Sequence, residues 1–263
     1  MIKLYGSTKI NRYFLKGALV AGIAETAGQR DELLTPHLTP VERETVQDRV
    51  YGQLRRTLIN GGFAAGDMLR IVDLAERLKT STMPVREALG RLVSEQALEA
   101  LPNRSVRVPL ITRERLDDLE RARILIEGRL VALACHRLTP DDHEGLKQTN
   151  RDCEAAFERH GQDIAPVTSE INQRFHFQIY RAAGSQVLIP MVESLWLQSG
   201  PVVRAAAHIH DEQGGLAATN HHWTIVAALE ARDEQAAVEA LANDIGRSFD
   251  LVRGRLDTGD EAA

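Results

Sequence analysis

The stretch LRIVDLAERLKTSTMPVREALGRLVSEQALEALPNRSVRV, residues 69–108, decides the fold of the N-terminal half. Leu74, Ala75 and Leu78 recur at helical spacing, Lys79-Thr80-Ser81 breaks the pattern, and Val85, Ala88, Leu89 and Leu92 resume it on one face. Two helices joined by so short a break form a helix-turn-helix. The second begins as a groove-reading helix must: Ser81 or Thr82 caps it, Pro84 sits in the first turn where no backbone N–H is needed, and Arg86 projects opposite the apolar face. Ser81, Thr82, Met83 and Arg86 are therefore candidate DNA-contacting residues, and Arg91 is spaced to reach a phosphate. After Pro102-Asn103-Arg104-Ser105 the chain alternates Val106, Arg107 and Val108, which predicts a two-stranded wing with Arg104 at a basic tip.

Upstream, Val46, Val50, Leu54, Leu58 and Ile59 define an amphipathic helix within residues 41–60, ended by Gly61-Gly62. Residues 1–40 carry glycines at 17, 22 and 28, each costing a helix about 1 kcal/mol against alanine, and Thr35-Pro36 and Thr39-Pro40 mark a linker. They are expected to form a mobile extension.

The segment STMPVREALGRL, with INGGFAAGDML before it, resembles the winged helix-turn-helix of the GntR family of bacterial transcriptional regulators. The resemblance spans about 65 residues of the chain, in the order approach loop, helix, turn, helix and basic wing. Three positions depart from the family pattern: Thr82 replaces a base-reading arginine, and Gln96 and Ser105 replace glycines at the helix exit and wing tip. The operator sequence of relatives therefore does not carry over.

Charge is unevenly placed along the 263 residues, whose formal net charge is −5. Residues 1–40 and 41–110 each carry an excess of +2, and residues 111–263 carry −9. A weakly basic reader joined to an acidic domain suits a regulator that dissociates readily, because phosphate contacts dominate affinity. Cys135 and Cys153, both in helical contexts, argue against a disulfide framework. The apolar stretch 17–24 is too short to span a bilayer and no cleavage site follows it. The expected location is the cytoplasm, away from membranes.

Past Thr112 the patterns are helical throughout, near 113–138, 140–160, 167–183, 185–208, 216–231 and 233–254, with Gly200-Pro201 expected to kink the fourth. The predicted fold class is mainly α: an extension (1–40), a winged helix-turn-helix (41–109), an all-helical bundle for effector binding and dimerisation (110–257) and a tail (258–263).

Asn172 and His176 lie four apart on one helical face, His222 opens the penultimate helix and Asp244 lies in the last. Two imidazoles, a carboxylate and an amide oxygen from three helices can converge in a bundle, which is how bundle metal sites are built. Over about 140 residues, in ERARILIEGRLVALA, NQRFHFQIYRAAGS and HHWTIVAALEARDEQAAVEAL, the chain resembles the FCD effector domain of the FadR-type branch. That resemblance implies a metal site at Asn172, His176, His222 and Asp244, where metal-binding members have Asp-x-x-x-His, His and His. The two departures, Asn at 172 and Asp at 244, keep one carboxylate in the set. A mixed N/O set of this kind tolerates Zn, Ni, Mn or Fe; the other reading is a metal-free, hydrogen-bonded histidine cluster.

The resemblance also implies a homodimer on a pseudo-palindromic double-stranded operator and a small carboxylate effector held by a cavity arginine. Arg123 is the first candidate, against an ordinary surface pair with Glu127; Arg181 and Arg204 follow. Trp196, Leu195 and Val192 read as core or interface, and His208, His210 and His221 as solvated residues in or beside a loop. An HD-type metal phosphohydrolase is the alternative function, from the order His176, His210-Asp211, Asp244; it needs 210–211 on a helix, and Gly214-Gly215 points to a loop.

Overall fold

Thr45 accepts a hydrogen bond from the Asp48 N–H at 3.1 Å, and the Asp48 carboxylate accepts one from the Thr45 N–H at 3.2 Å. This reciprocal cap opens the first helix of the computed structural model, which describes residues 45–102, 105–158, 165–212 and 217–258. The expected extension over 1–40 and the wing-tip Arg104 lie outside the described residues. Helix α1 (Val46–Ile59) turns Val50, Leu54, Leu58 and Ile59 inward and stops at Asn60, after which Gly61 takes φ +67°.

The predicted helix-turn-helix is present as α2 (Ile71–Arg77) and α3 (Thr82–Ser94), with Lys79 at φ 51° in the turn. Ser81 is the N-cap residue of α3, although its side chain makes no capping hydrogen bond. Val85, Ala88, Leu89 and Leu92 are buried and pack α3 on α1. The wing has three strands, where the sequence suggested two. β1 (Met68–Leu69), β2 (Glu99–Ala100) and β3 (Val106–Arg107) form an antiparallel sheet in the order β1-β3-β2, with Leu69 and Ala100 both paired to Val106. A two-residue strand before α2 leaves no alternation to read.

Six helices follow: α4 (Arg113–Cys135), α5 (Pro140–Phe157), α6 (Ala165–Ala182), α7 (Leu188–Glu212), α8 (Ala217–Glu230) and α9 (Glu234–Asp257). Thr112, Thr139 and Asp233 cap α4, α5 and α9 through their side chains. Trp196, Tyr180, Phe175 and Phe249 are fully buried at the centre, where α4, α6, α7 and α9 meet. Burying one large apolar side chain contributes about 1.5–3 kcal/mol, so this aromatic centre holds the bundle.

Helix α7 departs from expectation twice. It runs as one helix through Pro201, and it continues to Glu212, so 210–211 are helical backbone and not loop. The proline removes a single N–H, while Val202, Val203, Ala205, Ala206 and Ile209 are buried along the same helix. His208 and His221 are half-buried on helices, not solvated in a loop. No helix among the described residues is long and apolar enough to cross a membrane.

The middle of α7 lies directly against the reader. A Cβ added at Gly200 would collide with the Leu58 carbonyl at the end of α1, so glycine is what permits the approach. Arg204 donates from Nη1 to the Gly61 carbonyl at 2.8 Å, and Arg55 pairs with Glu193 at 3.0 Å. The buried apolar residues of reader and bundle consequently form one continuous cluster.

Candidate functional site

The reading face of α3 is exposed at Ser81, Thr82, Met83 and Arg86. Arg91, the candidate phosphate contact, is half-exposed, with its guanidinium 3.7 Å from the Tyr51 ring centroid and its Nε 3.1 Å from Glu95. Tyr51 also donates to Glu95 at 2.8 Å. Arg91 thus faces back onto α1, towards the side where the reader meets α7.

In the bundle, α6, α8 and α9 bring His176, His222 and Asp244 together with their ligand atoms all within 4.8 Å of one another. His176 Nε2 is 3.2 Å from Asp244 Oδ2, and His222 Nε2 is 3.9 Å from Asp244 Oδ1 and 3.1 Å from Asn172 Oδ1. All four predicted metal-site residues therefore meet at one point, inside a cavity of about 60 Å³.

The partners of the far ring nitrogens fix what faces that point. Asn150 donates through Nδ2 to the Thr219 carbonyl at 3.2 Å, so its Oδ1 accepts from His222 Nδ1–H at 2.9 Å. Tyr180 donates its hydroxyl proton to Glu127, so its oxygen accepts from His176 Nδ1–H at 3.3 Å. Nε2 is then the nitrogen of each ring that faces carboxylate or amide oxygen. Two ring nitrogens, a carboxylate and an amide oxygen converge, an arrangement that a proton carried by a ring or a metal ion satisfies.

The measured pairs are compatible with a metal, and the His176, His222 and Asp244 ligand atoms lie within 4.8 Å of one another. Two atoms each about 2.0–2.2 Å from one ion stand no more than about 4.4 Å apart, and the pairs above, at 3.1–3.9 Å, fall inside that limit. Burial works to raise the Asp244 carboxyl, but the His176 hydrogen bond and the neighbouring His222, His176 and His221 outweigh it and hold it at about 2. Asp244 is therefore anionic at physiological pH. Phe175 stacks on the His222 ring at 4.1 Å between centroids and screens it from water.

The arginines divide. Arg123 lines the cavity and is 4 % exposed, yet its Nε donates to Glu127 at 2.7 Å and its guanidinium lies 4.4 Å over the Trp196 ring. It is both cavity-facing and paired with Glu127, in the interior and not at the surface. Arg181 is exposed, 5.5 Å over Phe177, and Arg204 sits at the α1–α7 contact; neither lines the cavity. Helical spacing alone does not say which face an arginine takes. Asn150 and Tyr180, which orient the two histidines, carried no local pattern to betray them. His221 lines the cavity beside His222 without joining the cluster.

The pattern described as "Bacterial regulatory proteins, gntR family" matches residues 46–108, and the FCD domain matches residues 118–247. The HTH-type transcriptional regulator McbR of Escherichia coli is 33% identical over 204 residues, covering 78% of this chain and 91% of that protein. This chain is a GntR-family transcriptional regulator with an FCD domain. The regulator is also 28% identical to the Nta operon transcriptional regulator of Aminobacter aminovorans over 198 residues, 74% of this chain and 90% of that one. The solved structure of E. coli McbR/YncC superposes with a TM-score of 0.74 at 29% identity, over 81% of this chain and 100% of that one. GntR regulators bind DNA operators and often act as dimers, and FCD domains bind small-molecule effectors. The relatives are regulators and not enzymes.

Proposed function

We propose that this regulator is a metal-dependent sensor of a short organic acid, of the FadR-type branch, acting as a cytoplasmic homodimer on a pseudo-palindromic operator. In this reading residues 41–109 read DNA, through Ser81, Thr82, Met83, Arg86 and the wing Arg104, and residues 110–257 bind effector and dimerise. Asn172, His176, His222 and Asp244 hold a divalent ion, with Zn, Ni, Mn or Fe compatible with the N/O donor set.

The observation that carries the reading is the convergence of two imidazole nitrogens, a carboxylate and an amide oxygen beside a small cavity. When bound, a divalent ion supplies a Lewis-acidic position for an acid's oxygen. Asp244 and a divalent ion together leave a net positive charge, which favours an anion. Asn150 and Tyr180 hold the rings in the tautomer that presents Nε2, and Phe175 excludes water.

A route from cavity to reader is supported by α7. Trp196 packs its ring 5.5 Å from His176 and carries the Arg123 guanidinium, and Gly200 and Arg204, one and two turns on, touch the end of α1. Effector binding shifts the placement of the two readers only as far as its affinities for the two placements differ.

The test is metal content by mass spectrometry beside operator binding with and without a panel of short acids. His222→Ala is expected to lose both metal and response while still binding operator. Asn172→Asp is expected to tighten metal binding by adding charge. A wild-type protein that responds fully after complete metal removal sinks the coordination part of this reading.

A further inference from the structure

Helix α3 buries Val85, Ala88, Leu89 and Leu92, and at about 100° per residue the line opposite them runs through Met83 and Gly90, with Arg86 and Glu87 beside it. These outward residues are all exposed, Met83 by 60 %. The two on the line itself are unusual for an outward helix face: one is a large apolar side chain and the other has no side chain.

Gly90 answers to nothing inside the chain. It sits in regular helix, and a Cβ built on it meets no atom within 4 Å beyond its own stretch of that helix. Glycine weakens an exposed helix interior relative to alanine, and its compensating use is to let another surface come close. The major groove of DNA is such a surface. A helix with its side chains is about 10–12 Å across and the groove is about 12 Å wide, so one methyl on the outermost line changes how deeply the helix lies.

Met83, two turns before Gly90, is then the side chain carried furthest into the groove. Its thioether is flexible and apolar, with no charge for a phosphate. The apolar group that base pairs present in the major groove is the thymine C5-methyl. The exposed carboxylate of Glu87, one turn on from Met83, repels phosphate and turns this face towards base edges.

Resting on the reading of α3 as the DNA-reading helix, we propose that Met83 determines operator specificity by packing on thymine methyl groups in the major groove, and that Gly90 lets the helix lie close enough for that contact. Met83 thus selects T·A pairs by an apolar contact where Arg86, beside it, is placed to select by hydrogen bonds.

The experiment uses the full-length protein and an operator that it selects from random duplex DNA, with each thymine replaced in turn by deoxyuridine, which lacks only the methyl. At one or two positions the wild type is expected to bind about fourfold more weakly for each methyl lost, the effect of exposing one buried methyl group. Met83→Ala is expected to bind the thymine and uracil operators alike. Gly90→Ala is expected to raise the melting temperature yet weaken operator binding at least tenfold, two changes that a purely structural glycine would not combine. Uracil substitution that affects wild type and Met83→Ala equally overturns the methyl contact, and a Gly90→Ala protein that binds as tightly as wild type overturns the close approach. Undiminished operator binding in Arg86→Ala and Met83→Ala together removes the reading from α3 altogether and overturns the assignment on which the proposal rests.

Discussion

Asn150 Oδ1 lies 2.9 Å from His222 Nδ1, and because the same amide donates to the Thr219 carbonyl, oxygen is the atom that must face the ring. One buried amide thus decides which nitrogen of His222 is free. Asn150→Leu is expected to weaken divalent metal binding by about 10–100-fold, the usual effect of losing a group that orients a ligand. Asn150→Asp, which keeps the acceptor but sets a carboxylate oxygen against the Thr219 carbonyl, is expected to lose less metal affinity than the leucine variant while destabilising the fold. Competition with a fluorescent chelator gives both numbers, and a leucine variant that binds as tightly as wild type would remove Asn150 from this role.

Arg86→Ala is expected to cost about 1–3 kcal/mol on the specific operator and far less on random DNA, as loss of a bidentate base contact does. Arg91→Ala should weaken both only slightly, since Tyr51 and Glu95 occupy its guanidinium. Binding titrations on the two DNAs at one salt concentration compare them. Equal losses on both DNAs for Arg86→Ala would make it a phosphate contact.

Gln96, at φ 59°, occupies backbone that favours glycine. Gln96→Gly is expected to stabilise the protein by about 1 kcal/mol, because it relieves the left-handed conformation while the Arg115 hydrogen bond to the residue-96 carbonyl is retained. Urea unfolding is the measurement; a destabilised glycine variant contradicts the account.

Tyr180 is expected to stay protonated well into the alkaline range, since burial and the adjacent Glu127 push its hydroxyl far above the ordinary tyrosine value. With the folded value raised, its contribution to stability is complete below about pH 10 and is lost as the pH climbs above it. Absorbance titration of Tyr180→Phe against wild type should show no missing tyrosinate until the protein unfolds. Cys153, pushed up to about 12 chiefly by burial, should likewise be inert to thiol reagents at pH 8.

The reader was legible because its signals are local: Val85, Ala88, Leu89 and Leu92 repeat at helical spacing, and Pro84 and Arg86 follow a cap. The cluster was legible in its parts, since Asn172 and His176 share a face by spacing alone. What stayed hidden depends on packing between distant segments. Met68–Leu69 becomes a strand only by pairing with Val106–Arg107, Asn150 finds His222 across 72 positions, and Arg204 turns to Gly61 because α7 presses on α1.

Gly200 has a consequence for anyone who would exchange readers among members of this family. The end of α1 and the middle of α7 touch through a main-chain carbonyl with no side chain between them, so the two halves are fitted as a key is cut to a lock. A chimera joining this bundle to a foreign reader needs matching shapes at Leu58, Gly61, Gly200 and Arg204, however freely the linker is chosen. A graft that ignores those four positions is expected to yield a protein that binds DNA and binds acid, and in which neither event influences the other.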